Sequence, residues 1–245
     1  MRVSPGDIAR AYGLEVEPWV PPRYNIAPTE EVGAVVAEGQ AGQEAEDRRQ
    51  KAAGDRRQET EDRRQEKENK DAQKRVWRVF RWGLIPEWAK DPAIGQKMIN
   101  ARGETVLEKA AFREAFRQRR CLVPALGFFE WLKEGRQRVP YFIRGREEEL
   151  LSFAGLWETW RDPSGRIIPT CTIITTPANE LVALLHDRMP AIIRPEHFAW
   201  WLEAPAGQAG ELRELLKPYP AERLRAKRVN PGVNRPGVED PSFID

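Results

Sequence analysis

Apolar residues fall in short alternating or continuous bursts along most of the chain, and only a few stretches carry them at helical spacing. Ser4-Pro5-Gly6-Asp7 predicts a helix start: Ser4 as N-cap, Pro5 in the first turn, Asp7 three residues on, and Gly13 as the stop. Ile8, Ala11 and Tyr12 form its expected buried stripe. An extended passage with Pro18, Pro21, Pro22 and Pro28 follows, then residues 32–37 read as a strand with residues 76–82 as its partner. Residues 107–118 read as an amphipathic helix, with Ala111 and Ala115, and Phe112 and Phe116, at i,i+4 spacing. Strand patterns then succeed one another at 121–123, 128–132, 141–143, 151–153 and 170–175, with Glu134-Gly135 as a hairpin turn. Shorter helices are predicted at 178–185, 195–202 and 209–216, and a late strand at 224–229. Many short, locally connected strands predict an α+β class: one domain with a mainly antiparallel, barrel-like β core and peripheral helices.

One compositional break interrupts this pattern. From about Glu38 to Arg75 the chain has almost no apolar residues and repeats Asp-Arg-Arg-Gln at 47–50, 55–58 and 62–65. Its acids and bases nearly balance, which fits either a solvated helix held by i,i+4 pairs or a disordered loop, and it has nothing to bury. Contact of its arginines with nucleic acid is the less favoured reading. The expectation is a charged, low-complexity insertion at about 38–75 within a single domain spanning 1–245.

With 245 residues, nine Trp and nine Phe, the rest of the chain is long enough to bury a substantial core. Its 40 basic residues against 38 acidic leave a net charge of only +2, so a nucleic-acid site must be a local patch. Cys121 and Cys171 each lie in an apolar run, which predicts reduced, buried thiols and a cytoplasmic protein. No signal-peptide pattern and no apolar run of about eighteen residues occur, so neither export nor a membrane span is expected. No cofactor and no metal site are expected, and nothing calls for more than a monomer.

Four segments carry polar residues where packing alone does not ask for them. Tyr24-Asn25-Ile26-Ala27-Pro28 offers an amide just before a stiffening proline. Asn100-Ala101-Arg102 puts an amide and a guanidinium on one side of an extended segment, suited to gripping a phosphate. Gly127-Phe128-Phe129-Glu130-Trp131 sets a carboxylate in an aromatic strand: either a buried, paired group, with Arg102 as a possible partner, or an acid/base of raised pKa. His186-Asp187-Arg188-Met189-Pro190 holds one of two histidines, a side chain that takes and gives protons near neutrality. Alone, it reads equally as a hydrogen-bonded structural residue; His197, in Pro195-Glu196-His197, reads as a helix-start residue without a role.

Taken in order with Trp82-Gly83-Leu84-Ile85-Pro86, Trp88-Ala89-Lys90, Thr175-Thr176-Pro177-Ala178-Asn179 and the tail Val229-Asn230…Val233-Asn234…Asp240-Pro241, these segments resemble the SRAP family. SRAP proteins are the SOS response-associated peptidases, or abasic-site processing proteins. The resemblance implies a nucleoid-associated protein that binds single-stranded DNA at abasic sites, near junctions with duplex. It implies capture of the ring-opened aldehyde as a thiazolidine by the amine and thiol of an N-terminal cysteine, and removal of the initiator methionine by the same groups. Carried over residue by residue, His186 shuttles protons, Glu130 acts as acid/base, and Asn25 orients the amine. Asn100, Arg102, Thr175 and Arg188 hold phosphates, and Trp88 and Pro28 meet bases. The family starts Met-Cys-Gly-Arg, whereas this chain starts Met1-Arg2-Val3-Ser4. Two expectations compete: a start assigned too far downstream, which is favoured, or a damaged-DNA-binding module without the nucleophile. Action as a thiol peptidase on other proteins is a third, less favoured reading.

Overall fold

A computed structural model describes residues 3–19, 21, 23–38, 74–147 and 150–244. The repeat-bearing residues 39–73 and the first two residues lie outside this set. Helix α1, Pro5–Tyr12, begins with the predicted capping box: the Asp7 N–H donates to Ser4 Oγ at 3.1 Å and the Ser4 N–H donates to the Asp7 carboxylate at 2.9 Å. Gly13, at φ 67°, ends it in a conformation that costs an L side chain energy. The buried stripe is Ile8, Ala9 and Tyr12 rather than Ile8, Ala11 and Tyr12. Ile8 and Tyr12 centre the face, and the core lies on the flank of Ala9, leaving Ala11 in solvent.

The strands follow in chain order: β1 (Glu31–Ala37), β2 (Arg75–Trp82), β3 (Asn100–Arg102), β4 (Arg120–Ala125), β5 (Gly127–Glu134), β6 (Gln137–Gly145), β7 (Leu151–Arg161), β8 (Ile167–Pro177), β9 (Arg188–Pro190) and β10 (Leu224–Arg228). β1 pairs antiparallel with β2 from Glu31↔Arg81 to Ala37↔Arg75. The order β2–β1–β4–β7–β8 then closes on itself, because β8 runs parallel to β2 at Arg81↔Thr170 and Trp82↔Cys171. The result is a closed five-stranded barrel, which leaves none of these strands with two open edges. β3 joins β8 in parallel and β9 joins it antiparallel. β5, β6 and β10 form a separate antiparallel sheet that lays Ile143 and Leu224 into the same core cluster as Phe80, Cys121, Phe153 and Trp157.

Helices are shorter than their hydrophobic periodicity predicts. Of residues 107–118 only α2, Arg113–Gln118, is α-helical. Upstream, the Gly103 N–H is drawn to Thr175 O and Val106 is buried, so the chain advances by separate turns such as Glu108 N–H to Thr105 O. Residues 178–185 and 209–216 contribute only 3-10 turns, Val182–Leu184 and Glu211–Leu216. Residues 195–202 give a 3-10 turn, Pro195–His197, leading into α3, Phe198–Glu203. Segments this short gain too few internal bonds to hold a helix without capping. β7 and β8 each run eleven residues, well past their predicted cores. Polar Glu158, which broke the pattern, is buried in an ion pair with Arg119 at 2.6 Å.

Arg120, at the start of β4, is wholly buried without a carboxylate among its hydrogen-bond partners. Its guanidinium donates to Phe116 O and Arg117 O at the end of α2, and to Trp201 O and Ala204 O at the end of α3. One side chain thereby caps two helix C-termini, where carbonyls are unpaired and partial negative charge accumulates. Burial lowers its pKa to about 10, which still leaves it charged at neutrality.

Both cysteines are free and buried, and burial raises the Cys121 thiol well above its usual range and Cys171 to about 12. Thiolate is the reactive form. A disulfide reagent such as Ellman's is therefore expected to label neither thiol in the native protein and both in guanidinium, as followed by absorbance.

Candidate functional site

A cavity of about 1140 Å³ opens where the 23–28 segment, β1, β2, β5, β8 and β9 meet. Asn25, Pro28, Asn100, Glu130, Thr175, His186 and Arg188 all line it, although they are spread over more than 160 residues of sequence. Arg102 and Trp88 are outside its lining. Arg102 is exposed directly opposite Thr175 in the parallel β3–β8 register, next to the cavity wall. Trp88 is 61% exposed on the segment after β2, whose neighbour Ala89 packs with Ile85 and Trp160 away from the cavity.

Glu130 sits mid-strand on β5, opposite Tyr141. β5 approaches β6 so closely that a Cβ on Gly127 would lie 2.3 Å from Ile143 O, so only glycine permits the path that leads to Glu130. Burial raises the Glu130 carboxyl to about 6; neighbouring His186 opposes the rise and Asp187 adds to it. Glu130 is thus placed against the histidine segment rather than against Arg102, whose charge acts instead on Glu104.

His186 ends the turn begun at Val182, its N–H donating to Val182 O at 2.9 Å. Its Nδ1 accepts the Arg188 N–H at 3.0 Å and lies 3.2 Å from Asp187 Oδ1. Nδ1 thus meets a backbone donor and a carboxylate acceptor at once, so its contacts select neither ring tautomer. The side chain is half exposed.

Arg188 is gripped from two sides. Its two Nη groups meet the Glu104 carboxylate at 2.5 and 2.9 Å, and Nη2 also donates to Thr175 O at 2.7 Å. Its Nε is buried and lacks a hydrogen-bond partner. Arg213 donates to Glu104 O at 3.0 Å, so three arginines, 102, 188 and 213, gather around one glutamate. The hydrogen bond from Arg188 holds the Glu104 carboxyl below its ordinary range despite partial burial. Cations in excess of carboxylates make this corner electropositive, a form suited to phosphate.

On β3 the burial runs exposed, buried, exposed, so Asn100 and Arg102 project together while Ala101 enters the core. Pro28 precedes Thr29, whose φ of 77° is strained for a β-branched residue. The Thr29 N–H donates to Trp82 O at 2.8 Å, and Trp82 Nε1 to Ile99 O at 2.8 Å, which tie the 25–30 loop to the barrel rim. Asn25 is buried, and both its amide hydrogens go to backbone carbonyls of the tail, Val233 O at 3.1 Å and Arg235 O at 3.2 Å. Trp131, another cavity residue, donates from Nε1 to Asn234 Oδ1 at 2.6 Å.

The family profile of the SOS response associated peptidases, SRAP, matches residues 1–236. The chain belongs to the SRAP family. Abasic site processing protein YoqW of Bacillus subtilis is 45% identical over 166 residues, covering 67% of this chain and 74% of that SRAP protein. Abasic site processing protein HMCES of Gallus gallus is 35% identical over 201 residues, 72% of this chain and 59% of its own length. Among solved structures, a Bacteroides thetaiotaomicron protein superposes with a TM-score of 0.64 at 35% identity, over 71% of this chain and 77% of that one. A Bordetella bronchiseptica protein gives 0.67 at 25% identity, over 91% and 94%. The SRAP barrel is therefore the α+β, barrel-like architecture expected from the sequence. Among the described residues no helix is long and apolar enough to cross a membrane.

Sequence reasoning passed over Glu104, Trp131 and Glu239. The first was legible: Asn100, Arg102 and Glu104 fall at i, i+2 and i+4, which puts all three on one side of an extended chain. Glu239 bonds residues more than 200 positions away and left no local trace.

Proposed function

We propose that this SRAP protein processes abasic sites in DNA repair, binding the lesion in single-stranded DNA within the cavity. The observation that carries the reading is the junction of two chemistries in one cavity: an acid/base pair, Glu130 and His186, beside the cationic Thr175–Arg188 corner and Asn100. The matched abasic site processing proteins support it. Arg102, Asn100, Thr175 and Arg188 hold the flanking phosphates, and Pro28 meets a base. Trp88, exposed outside the cavity, serves a base further along the strand.

The reacting group on the DNA is the aldehyde of the ring-opened sugar. A primary amine adds to its carbon; the oxygen takes protons and departs as water, and an imine forms. Glu130 and His186 deliver and remove those protons, and a carboxyl near 6 is suited to both directions at neutrality. When the amine belongs to an N-terminal cysteine, the thiol adds to the imine carbon, its proton passes to nitrogen, and a thiazolidine closes. The chain's two cysteines lie mid-chain and buried, so neither supplies that pair of groups. A second reading, a binding module for damaged DNA, is favoured by the burial of both cysteines inside the barrel strands.

Borohydride separates the two readings, since it reduces an imine to a stable covalent link. Incubation of abasic single-stranded DNA with the chain, and with a version starting Met-Cys-Gly-Arg, is expected to give trapped product with the first and a borohydride-independent crosslink with the second. Binding without either product supports the module; failure to prefer abasic over intact DNA defeats both. The phosphate contacts have their own signature. Arg102→Ala is expected to weaken binding about tenfold irrespective of sequence and to reduce the slope of log K against log salt by about one, read by fluorescence anisotropy.

A further inference from the structure

The tail after β10 does more than finish the chain. It folds into two 3-10 turns, Pro231–Asn234 and Pro241–Phe243, and buries Val229, Val233 and Phe243 against Phe142 of the three-stranded sheet. From that anchorage Glu239 reaches the segment carrying Asn25. Its carboxylate accepts the Tyr24 N–H at 2.5 Å, the Asn25 N–H at 3.2 Å and Arg23 Nε at 2.5 Å. Arg23 continues to Glu30 at 2.7 Å, and Glu30 closes the loop by accepting the Ala27 N–H at 2.8 Å. Partial burial pushes the Glu239 carboxyl up, but these donors outweigh it and hold it below the ordinary range.

The consequence falls on the Asn25 side chain. An amide has two N–H donors and one carbonyl acceptor. With both donors bound to Val233 O and Arg235 O, a flipped amide would press its oxygen against two carbonyls, so the orientation is determined by the tail. What remains for the cavity is Oδ1, an acceptor. The group it meets must carry a hydrogen: an amine or a hydroxyl, not a phosphate oxygen.

We propose that residues 229–244 act as a strap for the site and that Glu239 is a positioning residue, holding Asn25 so that Oδ1 receives the N–H of the reacting amine. Glu239 lies beyond the span matched by the family profile, and it touches neither the acid/base pair nor the phosphate corner. The proposal rests on the abasic-site reading above for the identity of the amine; the strap itself does not.

The test uses the full chain and Glu239→Gln, which keeps shape but sets an NH2 group against either Arg23 Nε or the Tyr24 and Asn25 N–H groups, with Glu239→Ala as the more severe partner. Three measurements are read together. Hydrogen exchange of the Asn25 side-chain amide, in protein labelled with 15N-asparagine, is expected to speed up about tenfold. Affinity for single-stranded DNA containing a tetrahydrofuran abasic analogue stays within about twofold. The rate of borohydride-trapped product falls about tenfold, since small misplacement of a reacting pair is costly. Unchanged amide exchange in both variants overturns the strap, as does a trapping rate equal to wild type. Parallel loss of affinity and trapping, with a lowered melting temperature, also overturns it by showing a purely structural role. If wild type neither binds nor traps abasic DNA, the abasic-site reading fails, while amide exchange still decides whether Glu239 holds Asn25.

Discussion

Arg120→Leu is expected to cost about 3–5 kcal/mol of folding stability. The leucine matches the space apolar packing allows but leaves Phe116 O, Arg117 O, Trp201 O and Ala204 O without the donors they now have. Those carbonyls end two helices, and burial denies them water as a substitute. Arg120→Lys retains the charge but loses the planar fork, and three donors on one nitrogen cannot reach four carbonyls arrayed around a guanidinium. It is expected to fall between wild type and Leu. Equilibrium unfolding in urea measures both; a Leu variant within about 1 kcal/mol of wild type would show that the helix ends find other partners.

Glu130→Gln is expected to slow adduct formation and reversal about 10²–10⁴-fold in a version starting Met-Cys-Gly-Arg, with affinity for the tetrahydrofuran analogue within about twofold. Gln fills the same space on β5 and cannot exchange a proton. The same substitution has a stability signature whose sign follows from burial. Glu130 binds its proton at about pH 6 when folded and at the usual 4.5 when unfolded. The proton therefore favours the folded state: its contribution is fully present below about 4.5 and disappears as pH rises through about 6. Wild type should gain stability relative to Glu130→Gln between pH 7 and pH 5, by denaturant midpoints at each pH. Equal pH dependence in the two proteins would place Glu130 in water and remove its claim to acid/base work.

Much of the barrel was readable because its strands are local and patterned. Glu134-Gly135 marked the β5–β6 hairpin, and Gly135 has the positive φ, 59°, that such a turn uses. Val32 and Phe80 sat in recognisable runs that turn out to be directly paired. β3 was legible only as an extended segment and β9 not at all, because three residues carry no period and both exist only as additions to β8. Parallel closure between β2 and β8 was equally silent, since it joins residues about ninety positions apart and depends on the curvature of the whole sheet. At the site, the polar residues stood out against apolar neighbours, but their grouping did not. Alternation could place Asn100 beside Arg102; only the folded chain sets Glu104 against Arg188 and Asn25 against the tail.

The two-rung junction between β2 and β8 also bears on how the molecule is assembled. Arg81↔Thr170 and Trp82↔Cys171 on one flank, and Val35↔Leu122 on the other, are the registered pairs that join the β1–β2 ribbon to the remaining staves. Long-range seams of so few backbone bonds gain little until side chains are already packed, and loop entropy opposes them early. The β4–β7–β8 meander and the β5–β6 hairpin can form first as local units, with the ribbon swinging shut afterwards. Trp82 ends that ribbon and lines the cavity, so closing the barrel and completing the cavity wall are expected to coincide, late in folding.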